Sequence, residues 1–441
     1  MFNISIGVQN WEVVQNINGT GKIRFCGECE LKDVYCGLAI RAFDECTDEP
    51  VTEWTEINIK DRKWETTLNL PLGGPYRIEF RFMRADVWKA RWSLAHMLHH
   101  ICVGDVFVIA GQSNSIGMGH GELTETPELG IHTMRDCKYW DIATNPMYSS
   151  RGHNGPFLAF AKRLKRTLQY PIGLIPCAVG GSSLSEWLKN EDGHLYNEMI
   201  SVINGKKIKG VLWYQGESEG MDCKSENYFE RFERFVNDMR EDLNNKSLHV
   251  LTVQLHRHTD DFENGEEMDF HYDNVREAQR QAARKIKNVY VIPSIDVGRL
   301  SDGIHNSKSA NIFIGERLAR QALFSVYGKG LDPSAPDVER IKKISDKEIE
   351  VVFSGVEDTL MAYHVKNPNR LPLMAEDDNG INAIESFELL KDSIKLKLSR
   401  TVEENTYIKG QYGRNPYGII QDFGKQTAVL CFSNVKVAMK E

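Results

Sequence analysis

Two kinds of hydrophobic patterning divide this chain, and the change falls near residue 100. Before it, apolar residues come in short runs at 2–7, 22–26, 34–43, 64–70 and 76–82. Clusters of Asn, Gly, Asp and Pro separate the runs, and no helical period is sustained. This pattern predicts a small β-sandwich over residues 1–100. Its tryptophans, such as Trp11, Trp54 and Trp64, are expected in a β core or a domain contact more than in a sugar platform.

From Asp105 onward, strand-like runs at 105–110, 171–176, 208–214, 248–255 and 288–293 alternate with helical patterns. Alternation of that kind implies right-handed βαβ crossovers, so a five-stranded parallel sheet is expected in an α/β domain over 101–330. One helix should start after Asn154 as N-cap, with Pro156 in its first turn and Phe157, Phe160, Ala161, Leu164 and Leu168 on its inner face. Two more carry the stripes Tyr228, Phe232, Phe235, Met239 and Ile312, Gly315, Leu318, Ala322. Past Gly330, the Pro-rich connector LDPSAPD leads into strand-like runs at 348–353, 393–398 and 427–432, which predict a C-terminal β-rich domain over 331–441.

Composition narrows the function. The chain has 441 residues, 41% of them hydrophobic, enough for two or three domains. A net charge of -8 argues against nucleic acid or an anionic membrane as partner. No apolar run is long enough to span a bilayer, and the first seven residues lack the basic and apolar regions of a signal peptide, so a soluble, cytoplasmic protein is expected. Nine cysteines make an odd count, which favours reduced thiols over a disulfide framework. Cys26 and Cys29 form a CxxC, but Cys36 and Cys46 follow at spacings that match no zinc ribbon or finger, and no metal is expected there. His120, His132, His153, His256 and His258 are scattered and are not expected to be ligands.

The candidate chemistry starts at DVFVIAGQSNSIGMG, residues 105–119. A buried strand stopping at Gly111 would place Ser113 on a tight turn at its carboxyl end, where ligands of open α/β sheets bind. Three further stretches each follow a predicted strand: PCAVGGSSLSEW with Gly180 and Gly181, WYQGESE with Gln215 and Glu217, and SDGIH with Asp302 and His305. All would converge on the same sheet edge. A serine hydroxyl becomes nucleophilic when a histidine takes its proton, and the histidine needs a carboxylate to fix its tautomer; Asp302 and His305, three residues apart, can supply both. The amides of Ser113 and Gly181 and the side chain of Gln215 are the expected oxyanion donors. Glu217 accepts only when ionised, so it is expected either to brace the loop or to touch substrate.

These motifs resemble those of the SGNH hydrolases, and within them the sialate O-acetylesterase-like carbohydrate esterases. The resemblance rests on GQSN at 111–114, GGSS at 180–183 with Trp187, WYQGES at 213–218 and DGIH at 302–305, and extends to GGPYRIEF at 73–80 and REAQ at 276–279. It implies a flavodoxin-like sheet, a Ser113, Asp302, His305 triad, and deacetylation of sugars with neither metal nor other cofactor. Two departures from the wider superfamily, Gln112 after the first glycine and QGE in the third block, leave open which side chain completes the oxyanion hole. The glycine donor could equally be Gly180. Asn114, Glu217, Trp187 and Tyr214 are the expected substrate contacts, and the expected partner is a small acetylated carbohydrate.

Other readings fit less well. An α/β-hydrolase elbow wants GxSxG, whereas residues 111–115 give GxSxS. A non-catalytic carbohydrate-binding protein would suit the β-rich flanks and the aromatics Trp140, Trp187, Trp213 and Tyr214, but has no use for the Ser, Asp, His set. Acetylated sialic acid is the substrate the resemblance favours, with acetylated xylan or mannan oligosaccharides as alternatives; Arg151 and Arg299 are candidates for a sialate carboxylate.

Overall fold

The computed structural model describes residues 2–439 except 33, 85–92, 122–124, 150, 261–262 and 364–369. The two patterns of the sequence meet inside one strand, β1 (Ser93–Gly111), which is 19 residues long. Its first part pairs antiparallel with Gly73–Arg84, as at Phe82 with Ser93 and Gly73 with Val103. Its last part, from Asp105, pairs parallel with strands on either side. The border expected after residue 100 therefore lies within a strand. The physical reason is visible in burial, which alternates at the start of β1 and is complete from Ile101 to Gly111, so the same backbone passes from a one-sided sheet to a two-sided one.

The N-terminal region is β-rich. Phe2–Ile6, Thr20–Cys29, Lys63–Pro71 and Ile59–Lys60 form one antiparallel sheet, and Tyr35–Asp44, Thr55–Ile57 and Gly73–Arg84 join β1 in the other. Thr20–Cys29 alternates exposed and buried positions along its length, and Phe25, Ile40, Trp64, Leu70, Ile78 and Phe80 share the core between the sheets.

In the central sheet, β1 is joined by β2 (Ile131–Arg135), β3 (Ile172–Pro176), β4 (Gly210–Tyr214), β5 (His249–Val253) and β6 (Val289–Ile292). The order is β2-β3-β1-β4-β5-β6, all parallel, with Tyr139–Ile142 antiparallel on the β2 edge. The expected count of five is thus corrected to six parallel strands. β2 escaped the pattern because His132 and Thr133 interrupt its apolar run, although both are fully buried; the Trp11 carbonyl lies 2.7 Å from Nδ1 of the His132 ring. The five expected strands keep the order 2-1-3-4-5 among themselves, which places a ligand crevice where the winding reverses beside β1.

Helix Phe157–Leu168 packs on Lys308–Ser325, and Tyr228–Asp242 packs on Gly265–Lys285. The first of these begins one residue after Pro156, not at Asn154; the Asn154 carbonyl instead accepts from Asn311 Nδ2 at 2.6 Å. None of the described helices is long and apolar enough to cross a membrane.

The C-terminal region has its own core around Val351, Phe353, Ile394, Leu396 and Phe432. The run expected as one strand over 427–432 is split: Thr427–Ala428 pairs with Ile419–Asp422, and Phe432–Lys436 with Tyr407–Gly410. Buried Arg276 fastens this region to the central sheet. Its guanidinium donates to the carbonyls of Leu255 at 3.1 Å and His256 at 2.8 Å just past β5, and to that of Arg414 at 3.1 Å. Gln254 and the Cys431 backbone exchange two further bonds of 2.9 and 2.8 Å.

Candidate active site

The site grows from the end of β1. Gly111 has φ 120°, and a Cβ there would lie 2.2 Å from the Tyr214 carbonyl oxygen, so the position excludes every side chain. The Gln112 amide donates to that same carbonyl at 3.0 Å, tying the ends of β1 and β4 together. One helical turn, Ser113–Ile116, follows. Within it Asn114 and Ser115 turn inward, and the Ser115 hydroxyl sits 3.0 Å from the carbonyls of Ala110 and Tyr214. The amides of Ser113 and Asn114 start the turn and have no carbonyl four residues back to reach, which leaves them available to a ligand.

Ser113 Oγ lies 2.9 Å from His305 Nε2, and His305 Nδ1 lies 2.8 Å from Asp302 Oδ2. Asp302 Oδ1 also accepts from the amide of His305 at 3.0 Å. Burial pushes the Asp302 carboxyl up, but the His305 side-chain and backbone bonds outweigh it and hold the group below the ordinary carboxylate range. An ionised Asp302 fixes the proton of His305 on Nδ1, so Nε2 is left to accept the Ser113 proton. The loop carrying these residues is clamped from behind. The Asn306 amide donates to Asn114 Oδ1 at 3.1 Å, Asn306 Nδ2 donates to the Tyr214 hydroxyl at 3.2 Å, and Ser307 caps helix Lys308–Ser325 through the Ala310 amide.

Ser113 and His305 open onto a cavity of about 740 Å³ that Gly180, Gly181, Ile116, Met118, Met221 and Arg151 help to line. Gly181 has φ 70°, and nothing lies within 4 Å of the Cβ it lacks; at Gly180 only Ile116 Cδ1 comes near, at 3.7 Å. Both positions therefore border open space on the side a side chain would take. Arg151 is the only Lys or Arg on this wall among the described residues. Its guanidinium donates to the Ala178 carbonyl at 3.1 Å and lies 4.6 Å from the centre of the Tyr148 ring.

Five expectations are corrected by burial. Gln215 is fully buried and faces away from the cavity: Nε2 donates to the Ser182 carbonyl at 3.2 Å and to Glu219, and Oε1 accepts from the Tyr228 hydroxyl at 2.9 Å. It has no donor left for an oxyanion. Trp187 is fully buried, edge-on to Trp213, with Nε1 donating to Ser182 Oγ at 3.0 Å. Tyr214 is fully buried beneath the His305 loop. Asn114 spends its side chain on Glu217, at 2.7 Å, and on the loop carrying His305. Glu217 is buried behind it and is not on the wall of this cavity. These side chains brace the site from below and do not form its wall. Arg299 is likewise absent from the wall; its Nε donates to the Thr259 hydroxyl at 2.9 Å.

Two expectations about variants follow from the bracing network. Gln215→Ala leaves the Tyr228 hydroxyl and Glu219 short of partners, at about 1–3 kcal/mol for each buried group, so the loss is expected in denaturant midpoint. A stable Gln215→Ala protein with kcat lowered by two orders of magnitude would restore Gln215 to the oxyanion hole. Burial raises the Glu217 carboxyl pKa against the opposing Asn114 bond, and Glu217 Oε2 has no hydrogen-bond partner among the described residues. Burial disfavours the charge on this carboxyl, and Glu217→Gln keeps the size while removing only that charge, so the variant is expected to change stability by no more than about 1 kcal/mol. Strong unfolding of Glu217→Gln at neutral pH would show that the charge is needed.

Two triplets among the described residues have metal-ligand spacing, Cys223 with Glu267 and His271, and Glu186 with Asp192 and His194, and neither contains a residue of the Ser113, His305, Asp302 set. Of the histidines considered as ligands, His132 and His256 are pushed down to about 4 and about 3 by burial, and each spends Nδ1 on a backbone carbonyl.

Comparison with known proteins adds an independent line. A family model described as carbohydrate esterase, sialic acid-specific acetylesterase matches residues 103–324. A probable carbohydrate esterase of Arabidopsis thaliana is 29% identical over 248 residues, 49% of this chain and 90% of its own length. The sialate O-acetylesterase of Homo sapiens is 25% identical over 236 residues, 42% of this chain and 44% of that protein, so the match spans less than half of the human relative. Among solved structures, a carbohydrate acetylesterase from Xanthomonas citri superposes with a TM-score of 0.72 over 98% of this chain and 99% of its own, at 19% identity. That likeness is one of fold, and it includes both β-rich flanks.

Proposed function

Since this chain belongs to the carbohydrate esterase family of sialic acid-specific acetylesterases and is a carbohydrate O-acetylesterase, we propose that Ser113, His305 and Asp302 carry the reaction through an acetyl-enzyme. The hydrogen-bond chain of 2.9 and 2.8 Å opening onto the cavity is the observation that supports this most. His305 Nε2 takes the Ser113 proton as Oγ attacks the acetyl carbonyl, and Asp302 stabilises the imidazolium that forms. The charge that builds on the carbonyl oxygen faces the amides of Ser113 and of Gly180 or Gly181. His305 then gives the proton to the departing sugar oxygen, and in the second half activates a water that releases acetate.

The favoured substrate is an acetylated sialic acid. Its carboxylate needs a cation, and Arg151 is the one placed on the wall, already oriented by Ala178 and Tyr148. Acetylated xylan or mannan oligosaccharides are neutral and have no use for it. Arg151→Gln is expected to raise KM for acetylated sialic acid by about tenfold while leaving kcat, and the hydrolysis of a neutral aryl acetate, little changed. An equal loss on both substrates would remove Arg151 from recognition. The broader test is acetate release from a panel of acetylated sialic acids, xylo-oligosaccharides and manno-oligosaccharides; folded protein that frees acetate from none of them would sink the reading.

A further inference from the structure

Two thiols stand next to the cavity wall without a part in the chemistry above. Cys137 lies in the turn between β2 and Tyr139–Ile142, at φ 57°, and Cys177 follows the last residue of β3. Their sulfurs are 3.9 Å apart, and Cys137 Sγ donates to the Pro176 carbonyl at 3.1 Å. A disulfide bond needs about 2.05 Å, so rotation of the side chains and a small shift of the half-buried turn would bring the pair to bonding distance. Both line a second cavity, of about 590 Å³, whose wall also includes Tyr148, Arg151 and Val179. Arg151 and Val179 belong to the substrate cavity as well. The residue after Cys177 is Ala178, whose carbonyl holds both the Arg151 guanidinium and, at 3.3 Å, the Tyr148 hydroxyl.

We propose that Cys137 and Cys177 are a dithiol–disulfide modification site, closed by exchange with a low-molecular-weight disulfide, and that closure displaces the Ala178 anchor of Arg151. The environment divides the roles. The bond from Cys177 and the Arg151 charge lower the Cys137 pKa against burial, whereas the Cys137 bond and burial raise Cys177. Cys137 thiolate therefore attacks one sulfur of the external disulfide and expels the first thiolate. Cys177 then loses its proton, attacks Cys137 Sγ and expels the second thiolate, so two protein thiols and one external disulfide become one protein disulfide and two small thiols. The effect on turnover rests on the esterase reading; the bond itself does not.

The test treats the reduced full chain with glutathione disulfide, maps tryptic peptides without reduction, and assays acetate release. Expected are a mass lower by about 2 Da with the Cys137 and Cys177 peptides joined, and KM for acetylated sialic acid raised about fivefold, both reversed by dithiothreitol. Neither change should occur in Cys137→Ser or, as a second variant, Cys177→Ala. Stable glutathione adducts without the internal link, a link between other cysteines, or a link with KM unchanged would each overturn the proposal. Reduced protein that lacks esterase activity would sink the functional reading and leave the peptide map to decide the bond.

Discussion

Ser113→Ala is expected to lower kcat by about 10³- to 10⁶-fold with the fold intact. The variant removes one oxygen, and that oxygen is the only atom of the turn placed both against His305 Nε2 and on the cavity. What holds the turn lies elsewhere: Gly111 against Tyr214, the Gln112 amide, and the inward Asn114 and Ser115. Circular dichroism and the denaturant midpoint should therefore match the parent while turnover of an acetate ester collapses. The residual rate would come from amide donors and binding, which the substitution leaves in place. A serine-directed phosphonate should label the peptide containing Ser113 in the parent and not in the variant. A fall of less than tenfold in folded protein would rule out the acetyl-enzyme on this residue.

Asp302→Asn should cost about 10²- to 10⁴-fold in kcat, with KM little changed. The argument is one of tautomer. Asp302 accepts from His305 Nδ1, whereas an asparagine in the same place can turn its NH₂ toward the ring and favour the proton on Nε2. The ring then meets Ser113 with a donor, and the serine proton has nowhere to go. Geometry should survive, because the remaining carboxamide oxygen can still accept from the His305 amide. Asp302→Ala, which removes the orienting group without imposing the wrong tautomer, is the comparison. If both variants keep more than about a tenth of the parent kcat, His305 is oriented by something other than Asp302.

What could be read in the sequence was what depends on neighbours along the chain. Gly111 marks the end of β1 because only glycine tolerates that φ and that contact. Asp302 and His305 are three residues apart, and one turn of backbone brings their side chains into contact whatever the rest of the chain does. The strand-helix alternation likewise announced the parallel sheet, since a right-handed crossover leaves little choice of topology. It did not announce β2, where the buried polar groups of His132 and Thr133 imitate a loop until the Trp11 carbonyl is seen beside the ring.

The identity of the cavity wall, by contrast, was decided by the tertiary structure. Gln215, Trp187 and Tyr214 stand next to the right motifs, but the ends of β3 and β4 are buried on both faces, so alternation along the strand does not say which side chain meets the solvent. Their place in or beside the GGSS and WYQGES motifs made them look like contacts, and packing turned all three inward. The residues that do line the cavity, Arg151, Met118 and Met221 among them, come from two loops and the short helix Glu217–Met221, with no shared spacing. The sequence by itself determined which local turns could present a serine, a histidine and a carboxylate. Only the folded sheet, by bringing those turns to one edge and filling the space beneath them, determined which other side chains were left facing a ligand.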